Sequence, residues 1–177
     1  MSRSEPSLLG QCIAEFFATA VFLSFGIGVV AALKLAGASL GLWEISLVWG
    51  LAVALAVYLS AGISGAHLNP AVTIALALFA GFDKRKVPFY ISAQVSGAAL
   101  GALLVYGLHS NLFMDYEQTH HMVRGSVESL ELAGIFSTYP HHLLSIGQAF
   151  MVEMFITMLL LWLIMANGDD HNGLQRG

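Results

Sequence analysis

Ser64-Gly65-Ala66-His67-Leu68-Asn69-Pro70-Ala71-Val72-Thr73 is the stretch on which the fold turns. Asn69 offers a side-chain oxygen to cap the free amides of a helix start, and Pro70 suits the first helical position. The apolar run that follows, Ala71–Phe82, is about half of the ~20 residues a bilayer crossing takes. Ahead of it, Ser60-Ala61-Gly62-Ile63-Ser64-Gly65-Ala66-His67 is small and glycine-rich. Irregular backbone followed by half a span predicts a re-entrant element. Lipid tolerates such an element only where protein or a water-filled path covers it.

The composition sets the solvent. Hydrophobic residues make up 57% of the 177 and charged residues 10%, against about 25% charged in a soluble domain. Four stretches are long enough to span: Cys12–Leu33, Ile45–Ile63, Val87–Leu108 and Leu143–Ala166. The first exceeds the ~7–15-residue core of a cleavable signal, so it reads as a retained helix. One cysteine, Cys12, excludes an intrachain disulfide and a thiolate-built metal site. No basic run with interleaved aromatics points to nucleic acid.

Charge placement supports the half-span. With a cytoplasmic N-terminus, Arg3, Lys84, Arg85, Lys86 and Arg176 fall inside and only Lys34 and Arg124 outside, so five of the seven basic residues obey the positive-inside rule. A full span at Ala71–Phe82 would move the Lys84–Lys86 cluster outside. The chain then divides into a first unit over 1–108, a polar external loop over 109–144 holding five of the seven histidines, and a second unit starting at 145–177. Glu15-x-x-x-Thr19 recurs as Glu153-x-x-x-Thr157. Three spans plus a half-helix per unit would make the second copy run inverted through the membrane, an architecture of transport proteins.

The turn carries the chemistry. A half-helix starting near mid-membrane aims about half a positive charge at the bilayer centre. That repels cations and protons and tolerates neutral molecules. Gly65, Ala66, His67 and Leu68 can present a row of carbonyl acceptors, and the Asn69 amide has donors besides its capping oxygen. Glu15 and Glu153 are acids inside spans, costing roughly 2.5–3.5 kcal/mol each, and such residues face inward toward partners. They can brace the re-entrant loops by accepting backbone amides, or relay protons. His67 reads as pore-facing or loop-bracing, with no second metal ligand at suitable spacing. Trp43 suits an interface anchor, whereas Trp49 lies deeper, either against lipid or as an apolar wall. Gly97 and Gly101 with Ser96 give the third span a packing face, and Gly26 and Gly28 suggest the same for the first. No nucleophile–base–acid set or phosphate loop indicates an enzyme, and no cofactor is implied.

The stretch Ser64–Thr73 resembles the first signature of the major intrinsic proteins, the aquaporin family, with Asn69-Pro70-Ala71 at its centre. Glu15-x-x-x-Thr19, Lys84-Arg85-Lys86 and Glu153-x-x-x-Thr157 match in order, over essentially the whole chain. Gly10-Gln11-Cys12-Ile13-Ala14-Glu15, Trp43-Glu44-Ile45-Ser46, Phe82-Asp83-Lys84-Arg85-Lys86 and Glu117-Gln118-Thr119-His120-His121 to Val127-Glu128-Ser129 are similar to its bacterial glycerol-conducting branch. The resemblance implies an all-α inverted-repeat bundle in the bacterial inner membrane. It implies a homotetramer in which each subunit passes water, glycerol and small neutral polyols while excluding ions. It implies that Trp49 walls the narrowest point, that Gly65, Ala66, His67 and Leu68 offer carbonyls, that Asn69 donates, and that Glu15 and Glu153 brace the loops. Family members carry a second Asn-Pro-Ala half-helix followed by an arginine. No second Asn-Pro-Ala occurs before Gly177, so this chain alone is expected not to conduct. A proton-coupled carrier using Glu15 and Glu153, or a non-conducting assembly subunit, are the competing expectations.

Overall fold

The computed structural model describes residues 6–168. Among them are seven helices and no strand, and four of the helices are long and apolar enough to cross a membrane. The first compact unit runs to Thr138.

Helix α1, Leu8–Leu35, starts where Ser7 Oγ accepts the Gly10 amide at 3.1 Å and ends with Lys34 in its last turn. At about 1.5 Å per residue its 28 residues exceed a ~30 Å hydrocarbon core. Helix α2, Leu42–Ser64, is opened by Glu44, whose Oε2 accepts the Gly41 amide at 2.9 Å, and is closed by Gly65 in the left-handed conformation. The half-helix α3, Pro70–Phe79, is 10 residues long, or about 15 Å. It ends three residues before the expected Phe82. Gly81, at φ 76°, turns the chain so that the Phe82 amide reaches the Leu76 carbonyl at 3.1 Å. A short turn over Lys84–Lys86 leads into α4, Val87–Leu108, which matches the expected third span residue for residue.

Helix α1 is the centre of this unit, packing on both α2 and α4, while α3 packs on α4. The α4 face turned inward is Tyr90, Gln94, Gly97, Gly101 and Val105. A Cβ on Gly97 would run into the Phe16 carbonyl oxygen, and one on Gly101 would stand 2.7 Å from the Ala20 carbonyl oxygen. The expected small-residue face is therefore real at Gly97 and Gly101, where it lets α4 touch the α1 backbone, but Ser96 is exposed and takes no part in it. Gly26 faces α2, but there it meets a side chain, the ring of Trp49, and not backbone. Gly28 does not: nothing lies within 4 Å of where its Cβ would be. The expectation for Gly28 is corrected, because residues two apart on a helix point to different sides.

The segment after α4 holds more structure than a polar loop suggests. It carries α5, Ser110–Thr119, and the single turn α6, Leu130–Ala133. Phe113, Leu132 and Ile135 are buried in one cluster with Ile27, Ala31 and Val105. Lys34 reaches Glu131 at 3.0 Å, and Arg124 grips Glu117 at 2.7 and 3.2 Å.

Burial is inverted relative to a water-soluble protein. Glu15, Gln94, Thr73 and Ser60 are among the largest fully buried side chains, whereas Leu9, Phe17, Phe25, Leu55 and Val95 are exposed. An apolar exterior around a polar interior is what lipid as solvent demands.

The second unit, described from Tyr139 to Gly168, contains α7, Ile146–Asn167. Ser145 and Gln148 cap it reciprocally: Ser145 Oγ accepts the Gln148 amide at 3.3 Å, and Gln148 Oε1 accepts the Ser145 amide at 2.9 Å.

Candidate functional site: a braced re-entrant turn

The turn between α2 and α3 is held by one carboxylate. Glu15 is fully buried on α1. Its Oε1 accepts from Ser64 Oγ at 2.6 Å and the His67 amide at 2.9 Å. Its Oε2 accepts from the Leu68 amide and from Gln94 Nε2, both at 2.7 Å. Two backbone amides, a hydroxyl and a side-chain amide thus converge on one acid, and no donor is asked of it.

This bracing stabilises a costly backbone. Ala66 and Leu68 stand at φ 53° and 54°, in the left-handed region. Each such non-glycine residue costs roughly 1–2 kcal/mol. The two charge-assisted backbone bonds to Glu15, at roughly 1.5–3 kcal/mol each, are of the size needed to offset that strain. Gly65, at φ 86°, takes the same conformation without a Cβ penalty.

The bracing also sets the carbonyls. The peptide bonds are trans, and a trans peptide directs its C=O opposite to its N–H. The His67 and Leu68 amides point at α1, so the Ala66 and His67 carbonyls point away from it. Among the described residues, the carbonyls of Gly65, Ala66, His67 and Leu68 accept no hydrogen bond. Asn69 Oδ1 caps α3 by accepting the Ala71 amide at 2.8 Å, and this fixes which way the amide lies. The Asn69 Nδ2 donors are left uncommitted to any described residue, and the side chain is half-exposed.

A further set of contacts around Thr73 and Tyr90 locks the turn. Thr73 Oγ1 lies 2.9 Å from Gln94 Nε2, 3.1 Å from His67 Nδ1 and 3.2 Å from the Asn69 carbonyl. Tyr90 Oη lies 2.8 Å from the Ser64 carbonyl and 3.0 Å from Gln11 Oε1. The His67 side chain is buried, with its ring 4.5 Å from Phe82 and 4.9 Å from Tyr90. It therefore braces the loop from within, and only its backbone faces the other way. Gln94 Oε1 and Thr19 Oγ1 are buried without a partner among the described residues.

Trp49 lies on the α1 side of α2. Its ring packs on Gly26 and meets Phe22 edge-on at 6.4 Å. Trp43 is exposed, as an interface anchor would be. Glu153 sits exposed on α7, in the other unit. At the loop after α3, Arg85 forks onto Asp83 at 3.0–3.2 Å and holds that carboxyl below the usual carboxylate range.

The profile of the major intrinsic proteins matches residues 2–177. The chain is 64% identical over 172 residues to a glycerol uptake facilitator protein of Pseudomonas aeruginosa, covering 97% of this chain and 62% of that one. It is 65% identical over 171 residues to the glycerol uptake facilitator protein of Escherichia coli K12, covering 97% and 61%. A propanediol uptake facilitator of Salmonella typhimurium is 63% identical over 171 residues, at 97% and 65% coverage. The chain thus spans about three fifths of these relatives' length. The crystal structure of the aquaglyceroporin from Plasmodium falciparum superposes with a TM-score of 0.56 at 38% identity, over 62% of this chain and 45% of that one. Four membrane-crossing helices, a capped half-helix with a carboxylate-braced turn, and this similarity along nearly all its length make the chain a membrane protein that belongs to the major intrinsic protein family.

Proposed function

We propose that this chain supplies one wall of a passive channel for glycerol and related small neutral polyols and water, closed to ions and protons. The observation that carries the proposal is the polarity of the turn. Glu15 draws the His67 and Leu68 amides toward α1, and the Ala66 and His67 carbonyls are thereby turned the other way. A polyol exchanging water for protein needs acceptors spaced along its path and a donor where they end. Gly65, Ala66, His67 and Leu68 are the acceptors, and Asn69 Nδ2 is the donor. The positive end of α3 at the same place disfavours cations. Trp49 is the apolar wall against which the CH edge of a polyol slides. Glu153 braces the corresponding loop of the second repeat, with 1–108 as the first repeat, 145–177 as the start of the second and 109–144 as the external connection. The relatives named above are uptake facilitators for glycerol and propanediol, which supports neutral polyols as the substrates. Charge placement supports a cytoplasmic N-terminus, and the family resemblance supports a homotetramer in the bacterial inner membrane.

The test is stopped-flow light scattering on proteoliposomes. This chain is completed with the remaining two fifths of the Escherichia coli relative and compared with the chain alone. The completed protein is expected to pass glycerol with low temperature dependence and no response to a pH gradient, and the chain alone to pass none. Flux that follows an imposed pH gradient and stops in Glu15→Gln would replace the channel by a proton-coupled carrier.

A further inference from the structure

We propose that Gly26 is a positioning residue that sets how far the Trp49 indole stands from α1, and through it the size limit for the polyols that pass. The inference rests on the proposed function and adds a residue to its selectivity. Gly26 is buried on α1 and faces the six-membered ring of Trp49. A Cβ at Gly26 would stand 2.5 Å from Trp49 Cδ2, with Cζ3 and Cη2 nearer still, whereas ordinary contact begins at 3.4 Å. One methyl group therefore pushes the ring about 1 Å away from α1. The half-buried Phe22 meets the ring edge-on at 6.4 Å and restricts sideways escape. The remaining freedom is away from α1, and where Trp49 walls the path as proposed above, that displacement narrows it. Gly28 supplies the contrast. It lies on the same helix two residues away, and nothing lies within 4 Å of its missing Cβ. A general need for glycine in α1 would weigh on both positions, whereas a role through Trp49 weighs on Gly26 alone.

Two measurements test this. In the chain carrying W43F and W162F, so that Trp49 is the one tryptophan left, acrylamide quenching is read in lipid nanodiscs. G26A is expected to raise the quenching constant at least two-fold and G28A to leave it unchanged. In the completed channel, glycerol and erythritol fluxes are read for G26A, W49F and the double variant. G26A is expected to lower the erythritol-to-glycerol ratio at least ten-fold, and W49F in the same chain to restore it, because the smaller ring leaves room for the methyl. Unchanged quenching in G26A would overturn the proposal. So would a fall of both fluxes in equal proportion that W49F does not rescue, the mark of a role in helix packing only. Failure of the unsubstituted completed channel to pass glycerol would defeat the channel reading instead, with the quenching result still deciding whether Gly26 places the ring.

Discussion

Replacing Glu15 by glutamine removes one oxygen and a charge from a site where four donors meet. The amide nitrogen must face one pair of those donors. If it takes the Oε1 position, Ser64 can rotate its hydroxyl to accept, but the His67 amide is left facing a donor. If it takes the Oε2 position, Gln94 can turn its unpartnered oxygen toward it, but the Leu68 amide is stranded. Either way one buried backbone N–H goes unpaired, at about 1–3 kcal/mol, and the surviving bonds fall from charge-assisted to neutral strength, losing about 1 kcal/mol each. Relief from burying a carboxylate works against these losses. The turn should lose about 2–4 kcal/mol, enough to release the left-handed Ala66 and Leu68. Amide hydrogen exchange in nanodiscs is the assay. At about 1.4 kcal/mol per factor of ten, protection at His67 or Leu68 should fall about 30- to 1,000-fold. Protection at both amides within three-fold of the unsubstituted protein would refute the account of the turn.

Gly97→Ala drives a methyl into the Phe16 carbonyl and should destabilise the chain by about 1–3 kcal/mol, while Gly28→Ala, set in open space, should be neutral or stabilising by up to about 1 kcal/mol; thermal unfolding in detergent separates them. Tyr90→Phe removes the hydroxyl on the Ser64 carbonyl but keeps the ring beside His67 and Phe82, so a loss of about 0.5–1.5 kcal/mol is expected in the same assay. Lys34, through its hydrogen bond, holds Glu131 below the usual glutamate range. The folded value is the lower one, so this contribution is complete above the unfolded value and vanishes as pH falls through the folded one. Both side chains are about two-fifths exposed, so the effect is at most about 1 kcal/mol. Urea unfolding of Lys34→Met against the unsubstituted chain should differ at neutral pH and converge in acid.

The sequence foretold the spans because an apolar run of membrane length has one cheap fate. The α4 bounds followed without error, since Lys86 and His109 flank an uninterrupted run. The end of α3 did not, because apolarity continues through Phe82 while Gly81 breaks the helix by its φ. A bracing role for Glu15 was legible from the cost of a buried acid. Its partners were not: Ser64 and Gln94 lie 49 and 79 residues away, beyond any local pattern. One signal was available. Tyr90 and Gln94 repeat at helical spacing with Gly97 and Gly101, so the face that touches α1 had to carry two polar side chains. The α5–α6 segment hid its core because Phe113, Leu132 and Ile135 are diluted among charged residues.

The long sequence separations at Glu15 bear on how the protein is made. The acid leaves the ribosome first, and its last donor, Gln94, follows 79 residues later. At synthesis rates of about 5–20 residues per second, that is a delay of roughly 4–16 s. Throughout it, the first helix must enter the bilayer, or wait beside the insertion machinery, with an unpaired acid worth roughly 2.5–3.5 kcal/mol against insertion. The carboxylate that later organises the turn is thus a liability during birth. The leucines, phenylalanines and valines around it in α1 have to carry the first helix into the membrane before its partners exist.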